Sequence, residues 1–153
     1  MEILISACLL GLKCRYDGHS APAPAVEELL RRPGLHFVPV CPEQLGGLPT
    51  PRESAERVGE RILTRSGADV TAPYRRGAEG AAALAARLGC TCALLKARSP
   101  SCGSGRIYDG TFTGALVPGD GVAAAALKGA GLAVFDEEHL PELLAYLEKG
   151  EGT

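Results

Sequence analysis

Three short apolar runs, each closed by a cysteine in a turn, constrain this chain more than any other feature in it. Ile3-Leu4-Ile5-Ser6-Ala7 leads into Cys8, Phe37-Val38-Pro39-Val40 into Cys41-Pro42-Glu43, and Cys92-Ala93-Leu94-Leu95 into a turn that carries Cys102. Short apolar runs bounded by turn formers suit strands buried on both faces, as in a parallel sheet. In such a sheet functional groups gather outside the carboxyl ends of the strands. The pattern therefore predicts three thiols meeting in one crevice. The turn at 96–105 is the richest of the three. Pro100 fixes its own φ, Gly103 and Gly105 permit backbone shapes that other residues resist, and Ser99, Ser101 and Ser104 supply hydroxyls.

The rest of the chain alternates strand and helix. Residues 2–6 read as the first strand, followed by a long loop to residue 23. A helix over 24–32 has Pro24 at its start, Val26, Leu29 and Leu30 on one face, and Pro33-Gly34 as its stop. After a strand at 36–40, the Pro- and Gly-rich segment 41–52 reads as a functional loop without regular structure. A hairpin is expected between 60–64 and 69–71, with Ser66-Gly67 between its arms. Thr71 is placed to cap an alanine-rich helix running to Leu88, with Ala81, Leu84, Ala85 and Leu88 on its core face. Residues 106–112 read as a tight hairpin turning at Asp109-Gly110. A helix at 122–128, a strand at 132–135 and a helix at 137–147 complete the pattern. This alternation predicts the α/β class: a single-domain, Rossmann-like layer fold over 1–153 with a mostly parallel sheet.

Composition narrows the function classes. A chain of 153 residues with 46% hydrophobic and 22% charged residues can bury a core and is not of the disordered type. A net charge of −2 gives no basic footprint, so broad binding to nucleic acid is not expected. No apolar run reaches the length of a membrane span, and the first one is too short for a signal peptide and lacks a basic leader. A cytoplasmic protein is expected. In that compartment six cysteines read as thiols or metal ligands rather than disulfides. There is no Cys-x-x-Cys, which argues against zinc ribbons and thioredoxin-like chemistry.

Taken singly, Cys8, Cys41 and Cys102 would each read as a small buried apolar residue. Together, at three strand ends, they form a soft donor set suited to zinc or to an iron–sulfur cluster. Three protein ligands leave one metal position open, which marks a catalytic rather than a structural site. Cys14 stays open between a fourth ligand, a relay thiol and an incidental residue. Cys90 and Cys92 flank the turn at the opposite, amino end of their strand and read as packing residues. Glu43 brings a carboxylate next to the proposed metal, and a carboxylate in a dry cleft can pass protons near neutrality. Ser101 is balanced between donating to a bound heteroatom and capping its loop. Asp17, Asp69 and Asp109 read as turn formers, and His19, His36 and His139 show no metal spacing.

Several motifs combine into a resemblance that covers nearly the whole chain. They are Ser6-Ala7-Cys8-Leu9-Leu10-Gly11, Cys14-Arg15-Tyr16-Asp17-Gly18, Cys41-Pro42-Glu43 with Gly46-Gly47-Leu48-Pro49-Thr50-Pro51-Arg52, residues 96–103 and Ile107-Tyr108-Asp109-Gly110. The chain resembles the thiouracil desulfurase (desulfidase) family. The resemblance implies a [4Fe–4S] cluster with one open iron, held by Cys8, Cys41 and Cys102. It implies non-redox removal of sulfur from a thiolated pyrimidine (2-thiouracil, 4-thiouracil or their nucleotides) with release of sulfide. Glu43 would then shuttle protons, and Ser101 would hydrogen-bond or protonate the leaving group or ring. Ser99, Gly103 and Ser104 of the same turn are expected to contact the substrate. Some relatives carry an extra domain and act on thiolated tRNA; with no such domain here, a small-molecule substrate is expected. Two other readings stay open: a non-catalytic metal-binding or redox-sensing module completed by Cys14, and a zinc hydrolase using the same three cysteines with Glu43 as base.

Overall fold

Side-chain alternation along the apolar runs decides how the layers stack. The computed structural model describes residues 1–151. Along the chain come β1 (Glu2–Ser6), α1 (Pro24–Leu30), β2 (His36–Val40), α2 (Pro42–Leu45), β3 (Ala55–Val58) and β4 (Arg61–Thr64). There follow α3 (Thr71–Arg87), β5 (Cys92–Leu95), β6 (Arg106–Tyr108), β7 (Leu116–Pro118), α4 (Val122–Gly129), β8 (Ala133–Asp136) and α5 (Leu140–Glu151). Four strands form one parallel sheet in the order β2-β1-β5-β8. Successive side chains of a strand point to opposite faces. Ile3, Ile5, Cys92 and Leu94 accordingly pack with Val26 and Leu29 of α1 and Leu143 and Leu147 of α5. Leu4, Ala93 and Leu95 face the other way, onto Ala81 and Ala85 of α3 and Ala124 and Leu127 of α4. The expected α/β layer fold is the observed one.

From β1 the chain crosses by α1 to β2 on one side, and from β5 it crosses by α4 to β8 on the other. The gap between β1 and β5 is therefore a topological switch point, where loops diverge and leave a crevice. The turns after β1, β2 and β5 all open on that edge. Outside the sheet lie two antiparallel ribbons, β3–β4 and β6–β7.

Five local expectations are corrected. Segment 41–52 is not all loop: Pro42 starts the one-turn helix α2, where a missing N–H at the first position is harmless. The first hairpin pairs Ala55 with Thr64 and Val58 with Arg61, whereas Asp69 makes only an isolated bridge to Leu63. Its turn holds Gly59 at φ 61°, and short alternating runs leave the choice of partner strand undetermined by pattern alone. In the second ribbon β6 pairs with β7 rather than with residues 110–112, because Asp109 accepts from the Thr111 amide in a local turn while its own amide donates to Ala115 at 3.0 Å. Leu88, expected in the core, is 47% exposed: α3 stops at Arg87 and Gly89 turns the chain at φ 71°. Thr71 does not cap α3 either; its hydroxyl accepts from the Ile62 amide at 2.8 Å and ties the helix to β4.

Candidate active site at the carboxyl edge of the sheet

Each predicted ligand is set by the element beneath it. Immediately after β1 the chain tightens into a single 3-10 turn, Ala7–Leu10, which leaves Cys8 at the strand end. Cys41 is the extended residue between β2 and α2. Cys102 lies in a turn pinned from both sides. Ser99 Oγ accepts from the Cys102 amide at 2.7 Å, and the Ser101 carbonyl accepts from the Ala123 and Ala124 amides at 2.8 and 3.1 Å. Those amides belong to the first turn of α4 and have no partner within the helix, so the helix end and the turn complete each other. Gly121 permits the contact, since a Cβ there would sit 2.5 Å from the Ser101 carbonyl.

The three cysteines line one cavity of about 360 Å³. Glu43, Ser99, Ser101, Lys96, Arg52, Tyr74 and Cys14 share its wall, and Arg15, Tyr16, Arg65 and Phe112 stand at its rim. All six cysteines are free thiols. Gly103 and Ser104, expected against the substrate, fall outside the lining. Gly103 has a backbone task instead: its amide donates to Ser99 at 2.9 Å, and a Cβ would meet Ser99, Arg98 and Ile107 within 3 Å. Cys90 and Cys92 are buried at the far end of β5, packed in the two core layers.

Glu43 is the hub of the polar wall. It accepts from Arg52 Nε at 3.0 Å, Tyr74 Oη at 2.8 Å and Ser101 Oγ at 2.8 Å. The Arg52–Glu43 pair is largely dry, its side chains 6% and 14% exposed. Arg52 continues to Cys14 O at 2.9 Å and lies 4.0 Å from Cys41 Sγ, which itself donates to Cys14 O at 3.7 Å. Burial alone would lower the Arg52 pKa, but the Glu43 carboxylate outweighs it and the value is raised. Burial, then Glu43, push the Tyr74 phenol far above its ordinary range, so it keeps its proton and donates it to Glu43. The Cys8 thiol is pushed up to about 12 by burial and by Cys102 and Cys14, with Lys96 opposing. Cys102 is pushed up to about 11 by burial, against hydrogen bonds from Ser6 and Ser101. Cys14 is pushed up to about 12 by burial and by Cys41.

Thiols repelling one another in a dry pocket stay protonated when alone and ionise readily onto a metal. Soft donors from three strand ends, with room in front of them, fit a thiolate-held cluster. Among the described residues, no three His, Cys, Asp or Glu groups are arranged to hold a single metal ion.

The model of the 2-thiouracil desulfurase family matches residues 3–139. The chain belongs to this family. A Bacillus subtilis (strain 168) protein known as uncharacterized protein YbbK is 43% identical, over 93% of this chain and 99% of its own length. Among solved structures, the [4Fe-4S]-dependent thiouracil desulfidase TudS superposes with a TM-score of 0.88 at 48% identity, covering 96% of this chain and 97% of that one.

Sequence reasoning missed the two groups that hold Glu43. Arg52 was visible only as the end of a Pro- and Gly-rich motif. Tyr74 had one usable signal: it is the sole aromatic residue in a helix built mainly of Ala, Gly and Arg.

Proposed function

We propose that this protein is a [4Fe–4S]-dependent desulfidase that converts a thiolated pyrimidine to its oxo form. The observation carrying the reading is the meeting of three free strand-end thiols with the Glu43–Ser101 pair in one cavity. Cys8, Cys41 and Cys102 would hold the cluster. Bound there, the cluster would supply a Lewis acid for the thiocarbonyl sulfur.

The net change is C=S plus water giving C=O plus hydrogen sulfide, and no electron is gained or lost. Water must lose a proton as its oxygen adds to the ring carbon, and Glu43 is the base in the wall placed to take it. Ser101, buried and already bonded to Glu43, donates to the ring or the departing sulfur and draws its replacement proton through the same bond. Ser99 fixes the turn that presents Cys102 and Ser101. Tyr16 and Phe112 offer flat faces at the rim, each with an arginine 5.8 or 5.4 Å above it. Arg15 and Arg65 add positive charge to the cavity beside Arg52 and Lys96, which are paired with Glu43 and Glu137, and this favours a nucleotide over the bare base.

Anaerobic reconstitution with iron and sulfide, followed by an absorbance assay of thiouracil turning into uracil, tests the reading. A loaded protein that does not turn over any thiolated uracil, base or nucleotide, rejects it. Glu43→Gln should load normally yet lose turnover by roughly 10²–10⁴-fold. One observation favours a second reading: Cys14 also lines the cavity. A sensor closed by a fourth thiolate would lose its cluster in Cys14→Ser, whereas the enzyme would keep cluster and turnover.

A further inference from the structure

The Glu43 carboxylate is held unevenly. Oε1 accepts two bonds, from Tyr74 Oη at 2.8 Å and Arg52 Nε at 3.0 Å, while Oε2 accepts only from Ser101 Oγ at 2.8 Å. We infer that Tyr74 and Arg52 are positioning residues: by saturating one oxygen of Glu43 they reserve the other for proton exchange with Ser101 and the substrate. The inference rests on the proton-transfer role of Glu43 proposed above.

The terminal torsion of a glutamate is soft and nearly two-fold, so an untethered carboxylate interchanges its oxygens and wanders from its partner. Both tethers are themselves held by further contacts. Arg52 spends its remaining donors on Pro49 O at 3.2 Å, Thr50 Oγ1 at 2.9 Å, Cys14 O at 2.9 Å and Cys41 Sγ at 4.0 Å, which leaves the guanidinium no other place to point. Tyr74 is 3% exposed and is fixed by the backbone contact of α2 with α3. At that contact a Cβ on Gly46 would collide with the Pro73 carbonyl and one on Gly77 with the Pro42 carbonyl. Two helices can approach so closely only where side chains are missing. The approach places the first turn of α3, with Tyr74, directly against the residue that follows Pro42. A catalytic group held by packed neighbours keeps its geometry when substrate enters, and a small misplacement of such a group lowers the rate steeply.

The test is steady-state kinetics of the cluster-loaded enzyme at matched iron content, together with the crystal structure of each variant. Tyr74→Phe keeps the ring and removes only the hydroxyl. Its kcat should fall about tenfold, the equivalent of one hydrogen bond to a charged group, with KM changed less than about twofold. Arg52→Lys, which retains the charge but not the fork, should give the same kcat-only loss. In both structures the Glu43 carboxylate should be turned or split between two orientations. Placed on a Glu43→Gln background, Tyr74→Phe should cause no further loss, because its effect passes through Glu43. Wild-type kcat in both single variants, or a Tyr74→Phe loss that persists in full on Glu43→Gln, overturns the inference. If instead Glu43→Gln itself turns over at the wild-type rate, the proton-transfer reading is what fails, and the two failures are thus distinguishable.

Discussion

Gly77→Ala and Gly80→Ala make the same chemical change in the interior of the same helix, yet the structure assigns them opposite signs. Replacing a helical glycine by alanine contributes about 1 kcal/mol through the backbone entropy of the unfolded chain and helix propensity. At Gly80 the new methyl would meet Leu45 Cδ2 at 2.8 Å, but that side chain is 50% exposed and can rotate away. Gly80→Ala should therefore stabilise by about 0.5–1 kcal/mol. At Gly77 the methyl meets the Pro42 carbonyl oxygen, which is backbone and has no rotamer to change. The α2 turn must move, and overpacking of this kind costs about 3 kcal/mol at the upper end of its usual range. Net destabilisation for Gly77→Ala is then about 2 kcal/mol. At about 2–4 °C per kcal/mol for a domain of this size, the two variants should differ in Tm by about 5–12 °C, with wild type between them. The assay is thermal unfolding of the cluster-free protein followed by circular dichroism. Gly77→Ala should in addition lower turnover, since the displaced turn carries Glu43. If Gly77→Ala raises Tm as Gly80→Ala does, the close approach of α2 and α3 is not what the contact distances imply.

Single serine replacement of Cys8, Cys41 or Cys102 should abolish cluster loading, read as iron content and visible absorbance, whereas Cys90→Ser and Cys92→Ser should load in proportion to the protein that folds. Burial raises the folded-state values of Cys8 and Cys102 to about 12 and about 11 from an ordinary 9.0. The unfolded chain therefore loses these protons first, so cluster-free stability is fully present below pH 9 and declines from there toward pH 11–12. Unfolding midpoints across that range should show the decline, and Cys8→Ser should flatten it. Ser6→Ala strips the Lys96 amide of its 2.9 Å acceptor where β1 meets the turn after β5, and should lower stability by about 1–3 kcal/mol in denaturant titration.

The strands that carry the thiols were legible because their information is local. Residues 2–6, 36–40 and 92–95 are apolar runs with breakers at their ends, and their observed limits coincide with the expected ones. Asp17, Asp69 and Asp109 were legible as turn formers for the same reason: each accepts from an amide two residues on. Where the choice lay between competing partners, local reading failed. Residues 61–64 could pair with either neighbour, and Leu88 lay on the right helical face but one residue past the helix end.

By itself, then, the sequence determined that three short apolar strands each run into a turn carrying a cysteine, and its motifs named the family. Periodicity, turn residues and motif spacing are properties of a few consecutive residues, and they survive without the fold. Only the tertiary structure decided that these ends share one cavity, because that follows from the strand order β2-β1-β5-β8 and the switch point it creates. Only it could show the polar wall, since Glu43 takes its partners from positions 9, 31 and 58 residues away. Those contacts depend on how nearly two helices approach, and that is set by two glycines whose significance is invisible until their backbones are seen to touch.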